Sequence, residues 1–547
     1  MLMERASEFQ KLRAPQENGE KLIDPSWQLL PEVVERNRRR LAEADYDVQG
    51  RSLGELSHSA RQALVRQAIA YTSRYRNVPS RLDGVRSSVD APFILSGHQP
   101  QLFHPGVWYK NFVLGGLARQ LDGIGIHLLI DSDLCRSVSV RVPTGSVEEP
   151  RVEAVPYDAP SAEVPYEERA ICDPAMFASF ADRVVQWMEP LVRDPMVESM
   201  WPLTLERNSG QTNLGLRLAQ GRHAYEATWP NDTLELPQSA VCQLTEFAWF
   251  VAHILAHLPR FWSAHNDALA AYRQAHRLRN RAQPVPDLAE SNGWLEAPFW
   301  IWSGDDPRRR PLFARQTAHE MLISDRGLRT FTLALSADGE AQRAVEQLME
   351  LAASGIKIRT RALATTLFAR LVLSDLFFHG IGGAKYDQVT DQIAQQFCGF
   401  EPPQFATVSA TLRLPITYDR VNRMHGRDLN QQVRELRFHP ERFVNLNGAP
   451  SIRESPGVAE LIAEKRRWIE LTKTPENAKR RHVAITMANE ALQKHLAPLH
   501  CQLEAEREVI ERRRRAHAIL ESREYSFCLF PRRHFEPLLL DDPPLLR

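Results

Sequence analysis

Apolar residues change their spacing several times along this chain, and each change marks an element. Phe93-Ile94-Leu95 is a short unbroken apolar run, followed by the turn Ser96-Gly97-His98-Gln99-Pro100. Beyond His104-Pro105-Gly106, the residues Trp108, Phe112, Leu114, Leu117 and Leu121 recur with helical spacing. Ile124 to Ile130 is a second apolar run, and it ends in Asp131-Ser132-Asp133. The order is buried strand, glycine turn, helix, buried strand. In open α/β sheets such a turn lies at the carboxyl end of a strand, where ligands bind. The rest of the chain reads as an elaboration of this unit.

Residues 25–76 read as helical, with Leu29, Leu30, Val33 and Val34 in one amphipathic stretch and Leu56 to Tyr75 in another. Ser137 to Val142 alternates with period two and reads as a strand; the proline-rich segment Pro143 to Pro165 reads as loop. Met176 to Arg193 and Ser239 to Arg279 are helical again. Glu296–Trp302, Leu312–Ala314, Met321–Ser324 and Phe331–Ser336 are strand candidates, and Gln342–Ala353 is a helix. Strands alternating with helices predict an α/β protein with a mainly parallel sheet. After Pro456, Val458, Leu461, Ile462, Lys465 and Trp468 have helical spacing, as do Ile485, Ala488, Leu492, Leu496, Leu499 and Leu503. Pro498 is placed to kink that run, and Arg512–Arg515 breaks its heptad, so a helical hairpin or arm fits better than a long coiled coil. An exposed stripe from Ile485 to Leu503 would need a partner, either the body or a second chain. The expected divisions are a helical segment (1–90), a first part of the core (91–165), a helical insertion (166–290), a second part of the core (291–455), and a helical arm with a docking tail (456–547).

Composition narrows the function. At 547 residues the chain has room for about three units. Lys plus Arg equals Asp plus Glu at 68 each, which argues against nucleic acid as the partner. The amino terminus lacks the apolar core of a signal peptide, and no run of about 18 apolar residues occurs. A cytoplasmic protein without a membrane partner is expected. Six scattered cysteines without a C-x-x-C pair read as reduced thiols, and no metal is predicted. His253 and His257 share a helix face, but Ile254 stands where a zinc-protease helix has Glu, so they read as ordinary helix histidines.

Three stretches carry candidate chemistry. The first is Gly97-His98-Gln99 with Gly106 and Lys110: glycine lets the backbone approach a ligand, a helix amino end favours an anion, and His98 and Lys110 supply positive groups. The second is His379-Gly380-Ile381-Gly382-Gly383-Ala384-Lys385-Tyr386-Asp387, an apolar strand entering a glycine turn and a helix. It is neither a Walker A nor a G-x-G-x-x-G pattern. The third ends in Arg359-Thr360-Arg361, where arginines suit a carboxylate or phosphate. Each also has a structural reading: a capped turn, a tightly packed turn and a surface strand end. Asp131 and Asp133 close the second strand and are placed to orient an amine or a ribose.

The order Ser96-Gly97-x-Gln99, Leu102-Phe103, then a helix with Lys110 resembles the cysteine-adding enzymes of bacillithiol biosynthesis. So does the later order Arg361, helix, Phe378-His379-Gly380-Ile381-Gly382-Gly383, Tyr386, then Ser409-Ala410-Thr411-Leu412. The resemblance extends over about 90–530 and is weak between 143 and 290. It implies a Rossmann-like core of the nucleotidyl-transferase (HUP) type, a coiled-coil-like helical arm, and often dimers. It also implies a ligase that joins cysteine to a glucosamine-malate thiol precursor. Where the family has Gly-Gln-Gln, His98 replaces the first Gln; where it has Glu-Asp-His, Asp131-Ser132-Asp133 stands; and Lys385 lies where a Glu usually follows the glycines. His98-Gln99-Pro100 is also similar to the WbqC-like proteins over those few residues. The resulting expectation is a ligase or transferase joining an amino acid or other amine to an activated acyl group. His98, Lys110, Asp131, Asp133, His379 and Lys385 would be catalytic. Gly97, Gln99, Gly106, Gly380, Gly382, Gly383, Tyr386, Asp387 and Arg361 would bind ATP or another nucleotide. The partners would be a small-molecule substrate and, through the arm, a second copy of the chain. The alternative is a non-catalytic nucleotide- or metabolite-binding scaffold whose arm binds a partner.

Overall fold

A computed structural model describes residues 9–78, 90–206, 212–317, 320–327, 329–418, 423–444, 455–541, 543 and 545. In chain order, β1 (Lys21–Asp24), α1 (Leu30–Glu43) and α2 (Leu53–Thr72) precede the unit β2 (Phe93–His98), α3 (Pro105–Gln120), β3 (Ile124–Leu129). The hairpin β4 (Ser139–Gly145) and β5 (Pro150–Pro156) comes next. It leads to α4 (Pro174–Ala178), α5 (Phe180–Met188), α6 (Val197–Glu206), α7 (Leu214–Glu226) and β6 (Leu234–Pro237). Then come α8 (Gln238–Val241), α9 (Thr245–Ala256), α10 (Leu258–His276), β7 (Glu290–Ser291), β8 (Trp294–Ser303), β9 (Asp306–Gln316), β10 (Met321–Ser324) and β11 (Thr330–Leu333). The series α11 (Gln342–Ala353), β12 (Ile356–Thr360), α12 (Ala362–Phe368), β13 (Leu376–His379), α13 (Ile381–Cys398) and β14 (Ala406–Ala410) follows. Last are α14 (Arg423–Phe438), α15 (Val458–Glu470), α16 (Ala478–His495) and α17 (Ala497–Leu520). No described helix is long and apolar enough to cross a membrane.

Two compact units result: 1–142 with 153–415 and 523–547, and 143–152 with 416–522. The first is a mixed α/β structure. Its main sheet has the order β1-β14-β13-β2-β3-β6; all neighbours are parallel except β1, which pairs antiparallel with β14. Every residue of β3 and the first four of β2 are buried, as strands covered on both faces must be. β6, only four residues long, lies inside the segment expected to be a helical insertion (166–290), between its two helical stretches, because so short a run leaves no periodicity to detect. The second sheet, β11-β10-β9-β8-β12 with β7 on β8, is antiparallel throughout, where the sequence predicts a parallel one. Only Gly304 and Asp305 separate β8 from β9, and a two-residue connection permits only a hairpin. The helical stretch Ser239–Arg279 is divided, with Pro259 opening α10.

α3 is buried on nearly all sides, with Trp108 through Ala118 all inaccessible. Phe527 and Phe535 of the carboxyl-terminal segment stack on Trp108 at centroid distances of 4.3 and 4.4 Å, which returns that segment to the main body. In the second unit, Leu492, Leu496 and Leu503 pack with Leu429, Leu436, Val444 and Val458. The apolar stripe that suggested a homodimer is therefore covered largely by its own unit. Pro498 begins α17 after a break at Leu496 rather than kinking a continuous helix.

Candidate functional site

β2 leads through α3 to β3 on one side, whereas the adjacent β13 leads through α13 to β14 on the other. Connections that leave in opposite directions from neighbouring parallel strands make a switch point, where a crevice opens at the carboxyl ends. Phe378 is in register with Ser96, so His379 and Gly97 are the next residues out on adjacent strands. The two glycine turns found in the sequence are thus the two lips of the switch point.

Lys110, from the second turn of α3, is 1 % exposed and donates to the Gly97 carbonyl at 2.7 Å. No carboxylate pairs with it among the described residues. Burial, helped by Arg222, lowers its pKa to about 7. Burial and then Lys110 lower His98 to about 3, so its ring is neutral; it contacts the edge of Phe103 and the Gln99 carbonyl. His127 on β3 bonds Ser96 Oγ through Nδ1 at 2.9 Å, while its buried Nε2 has no hydrogen-bond partner among the described residues. Burial, Arg222, Lys110 and His98 hold His127 well below the usual imidazole range.

Asp131 is buried and accepts from the Ser239 N–H and hydroxyl at the start of α8. Burial and then Glu167 push its pKa up to about 7. Asp133 is more open. It accepts from Gln99 Nε2 at 2.8 Å and from Arg309 Nη1 at 3.0 Å, so two predicted residues, Gln99 and Asp133, do meet.

On the other lip, His379 Nε2 lies 2.8 Å from Asp387 Oδ2. Asp387 is buried against Arg370 (2.7 Å) and Thr366 (2.6 Å). Its pKa stays below the carboxylate range because Arg370 and His379 outweigh its burial, which acts in the opposite direction. The glycines divide by role. A Cβ on Gly106 would come within 2.3 Å of the Ala410 carbonyl, so Gly106 lets α3 approach β14 rather than a nucleotide. One on Gly383 would meet His379 Nδ1 at 2.7 Å, whereas Gly380 and Gly382 face open space at the start of α13. Lys385 and Tyr386 lie towards α10, where Lys385 acts on His276 and Tyr386 on Tyr272. Arg361 pairs with Glu296 and lines a separate cleft with Asp133.

Residues that the motifs missed complete the surroundings. Arg222 forms ion pairs with Glu226 and Glu235; Glu226 also accepts from Trp108 Nε1 (2.8 Å) and Asn111 Nδ2 (2.9 Å). Tyr75 OH bonds His223 Nδ1 at 2.8 Å. Arg222 and Glu226 at i and i+4 were the one signal in the sequence, and that spacing by itself indicates a solvated helix pair. His253 Nε2 bonds the Tyr46 hydroxyl at 2.7 Å, and the described residues contain no group of three or more potential metal ligands. Comparison with known protein families and with curated proteins finds no match to this chain.

Proposed function

We propose that the chain is a ligase or transferase similar to the cysteine-adding enzymes, with a Rossmann-like, nucleotide-binding core and a coiled-coil-like helical arm. It joins an amino acid or other amine to an activated acyl group. The observation that carries this reading is Lys110, a buried amine with one hydrogen bond and no carboxylate partner among the described residues, behind the turn that forms one lip of the switch point. An amine so placed suits a phosphate or acyl oxygen on which negative charge develops. Asp133 and Gln99 orient the incoming amine. Asp387, paired with Arg370, orients His379 through Nε2, and Nδ1 is the atom that takes the proton the amine loses on attack.

The test is calorimetry of the full chain with ATP, ADP and AMP at millimolar concentration. Met is the replacement for Lys110 because Ala would leave a hole at a buried position. Lys110→Met and His98→Ala are expected to weaken the bound nucleotide about tenfold to a hundredfold, the effect of losing a charge-assisted hydrogen bond. If none of the three binds the wild type, the nucleotide part fails. If they bind and both variants are neutral, the pocket lies elsewhere. Binding without turnover of any amino acid leaves the scaffold reading.

A further inference from the structure

A cleft of about 580 Å³ opens beside Asp133, bounded by the loop after β3, by β8 and β9, and by the segment entering α12. Its lining holds four arginines, Arg136, Arg308, Arg309 and Arg361, against two carboxylates, Asp133 and Glu163. Arg309 and Arg361 form the inner pair, with side chains 12 % and 14 % exposed. Both guanidinium groups lie over the Trp300 ring, each 4.7 Å from its centroid. Among the described residues each uses Nη1 alone: Arg309 donates to Asp133 and to the Ser132 carbonyl, and Arg361 to Glu296. The Nε and Nη2 donors of both have no protein acceptor among the described residues.

Two like charges, largely withdrawn from water and held over one ring, are an unfavourable arrangement. Burial, and Arg309 beside it, lower the Arg361 pKa despite the Glu296 partner. His265, which lines the same cleft, is lowered to about 4, chiefly by burial, and so adds no charge near neutral pH. An arriving anion would relieve the repulsion and engage the idle donors. The planar guanidinium fork matches carboxylate and phosphate oxygens, and an aromatic face holds its plane. Arg308 and Arg136, more exposed at the rim, would draw such an anion in.

We propose that this cleft is an oxyanion site that takes the phosphate or carboxylate group of a small metabolite on the Nε and Nη2 donors of Arg309 and Arg361. It does not rest on the nucleotide reading, since its donors are those of Arg309 and Arg361 and not Lys110, but Asp133 borders both sites. The experiment is calorimetry of the full chain at low ionic strength with inorganic phosphate and, separately, succinate. At least one binds at millimolar concentration or tighter. Arg309→Gln and Arg361→Lys each weaken it about tenfold, as expected for a lost charge-assisted fork. Phosphate binding alone points to a phosphorylated ligand, and succinate binding alone to a carboxylic acid. Failure of both to bind the wild type overturns the proposal, as does undiminished binding by both variants. Thermal unfolding checks each variant. If the inner variants do not fold, the rim double variant Arg136→Gln with Arg308→Gln must weaken binding several-fold at unchanged unfolding temperature, and unchanged affinity there overturns the proposal.

Discussion

Lys110 shows how much one side chain commits the protein to. Its pKa is about 7 when folded and about 10.4 when unfolded. Between those values the unfolded chain binds more protons, so stability rises with pH across that window. Below it the amine is charged in both states and the cost of burying it remains in full. Each pH unit between the two values corresponds to at most about 1.4 kcal/mol. Lys110→Met is therefore predicted to raise the unfolding temperature at neutral pH, with a gain that shrinks as pH climbs towards about 10. Scanning calorimetry at both ends of the window checks this, and a variant destabilised equally at every pH would mean that the amine has a stabilising partner when folded.

At the level of elements, α3 and α13 both start at glycines that look alike in the sequence. Gly106→Ala would drive a methyl group into the Ala410 carbonyl, and a cost of about 1–3 kcal/mol is expected, as for other forced overpacking. Gly382→Ala meets nothing and should stabilise α13 by up to about 1 kcal/mol. It should also weaken any nucleotide that uses the open space there. Chemical denaturation and nucleotide titration of the two variants separate these effects. A third substitution probes how α13 is anchored. Arg370 bridges Asp387, Asp391 and the Pro403 carbonyl, so Arg370→Met strands a buried carboxylate. A loss of about 3–5 kcal/mol is predicted, and a loss below about 1 kcal/mol, the range of exposed pairs, would show that Asp387 finds water or becomes protonated.

Across the whole molecule the buried histidines set the acid limit. Burial comes first among the causes that lower His98 and His253 to about 3 and His265 to about 4, and that hold His127 and His223 well below the usual range. Below the unfolded value near 6.5, the unfolded chain takes up protons that these rings refuse, so each costs about 1.4 kcal/mol per pH unit. Asp131 and Glu235, raised to about 7 mainly by burial, act with the opposite sign and gain stability as pH falls through that value. His104, His257 and His276 are lowered as well and Asp391 is raised, so among the described residues eight histidines stand against three carboxylates and leave a net loss. The denaturant midpoint should fall steeply below about pH 6, and a midpoint that stays flat towards about pH 4.5 would show that the rings are hydrated or paired.

Local spacing determined the units β2–α3–β3 and β13–α13, because apolar runs, helical intervals and glycine turns act over a few residues. It also placed Gly97, His98, Gln99 and His379 at strand ends. Three things depended on tertiary structure alone: that β2 lies beside β13 at a switch point, that the strands of 290–360 form their own antiparallel sheet, and that Gly106 serves packing. The meetings of Lys110 with the Gly97 carbonyl, Arg222 with Glu235, and Arg309 and Arg361 with Trp300 were likewise not legible. Each joins residues of different elements across a turn, a hairpin or a crossover, which the spacing within one element does not describe. A period of two or 3.6 records which way a side chain faces along its own element. Which charge stands opposite, and how much water remains around it, is decided only when distant elements close over one another.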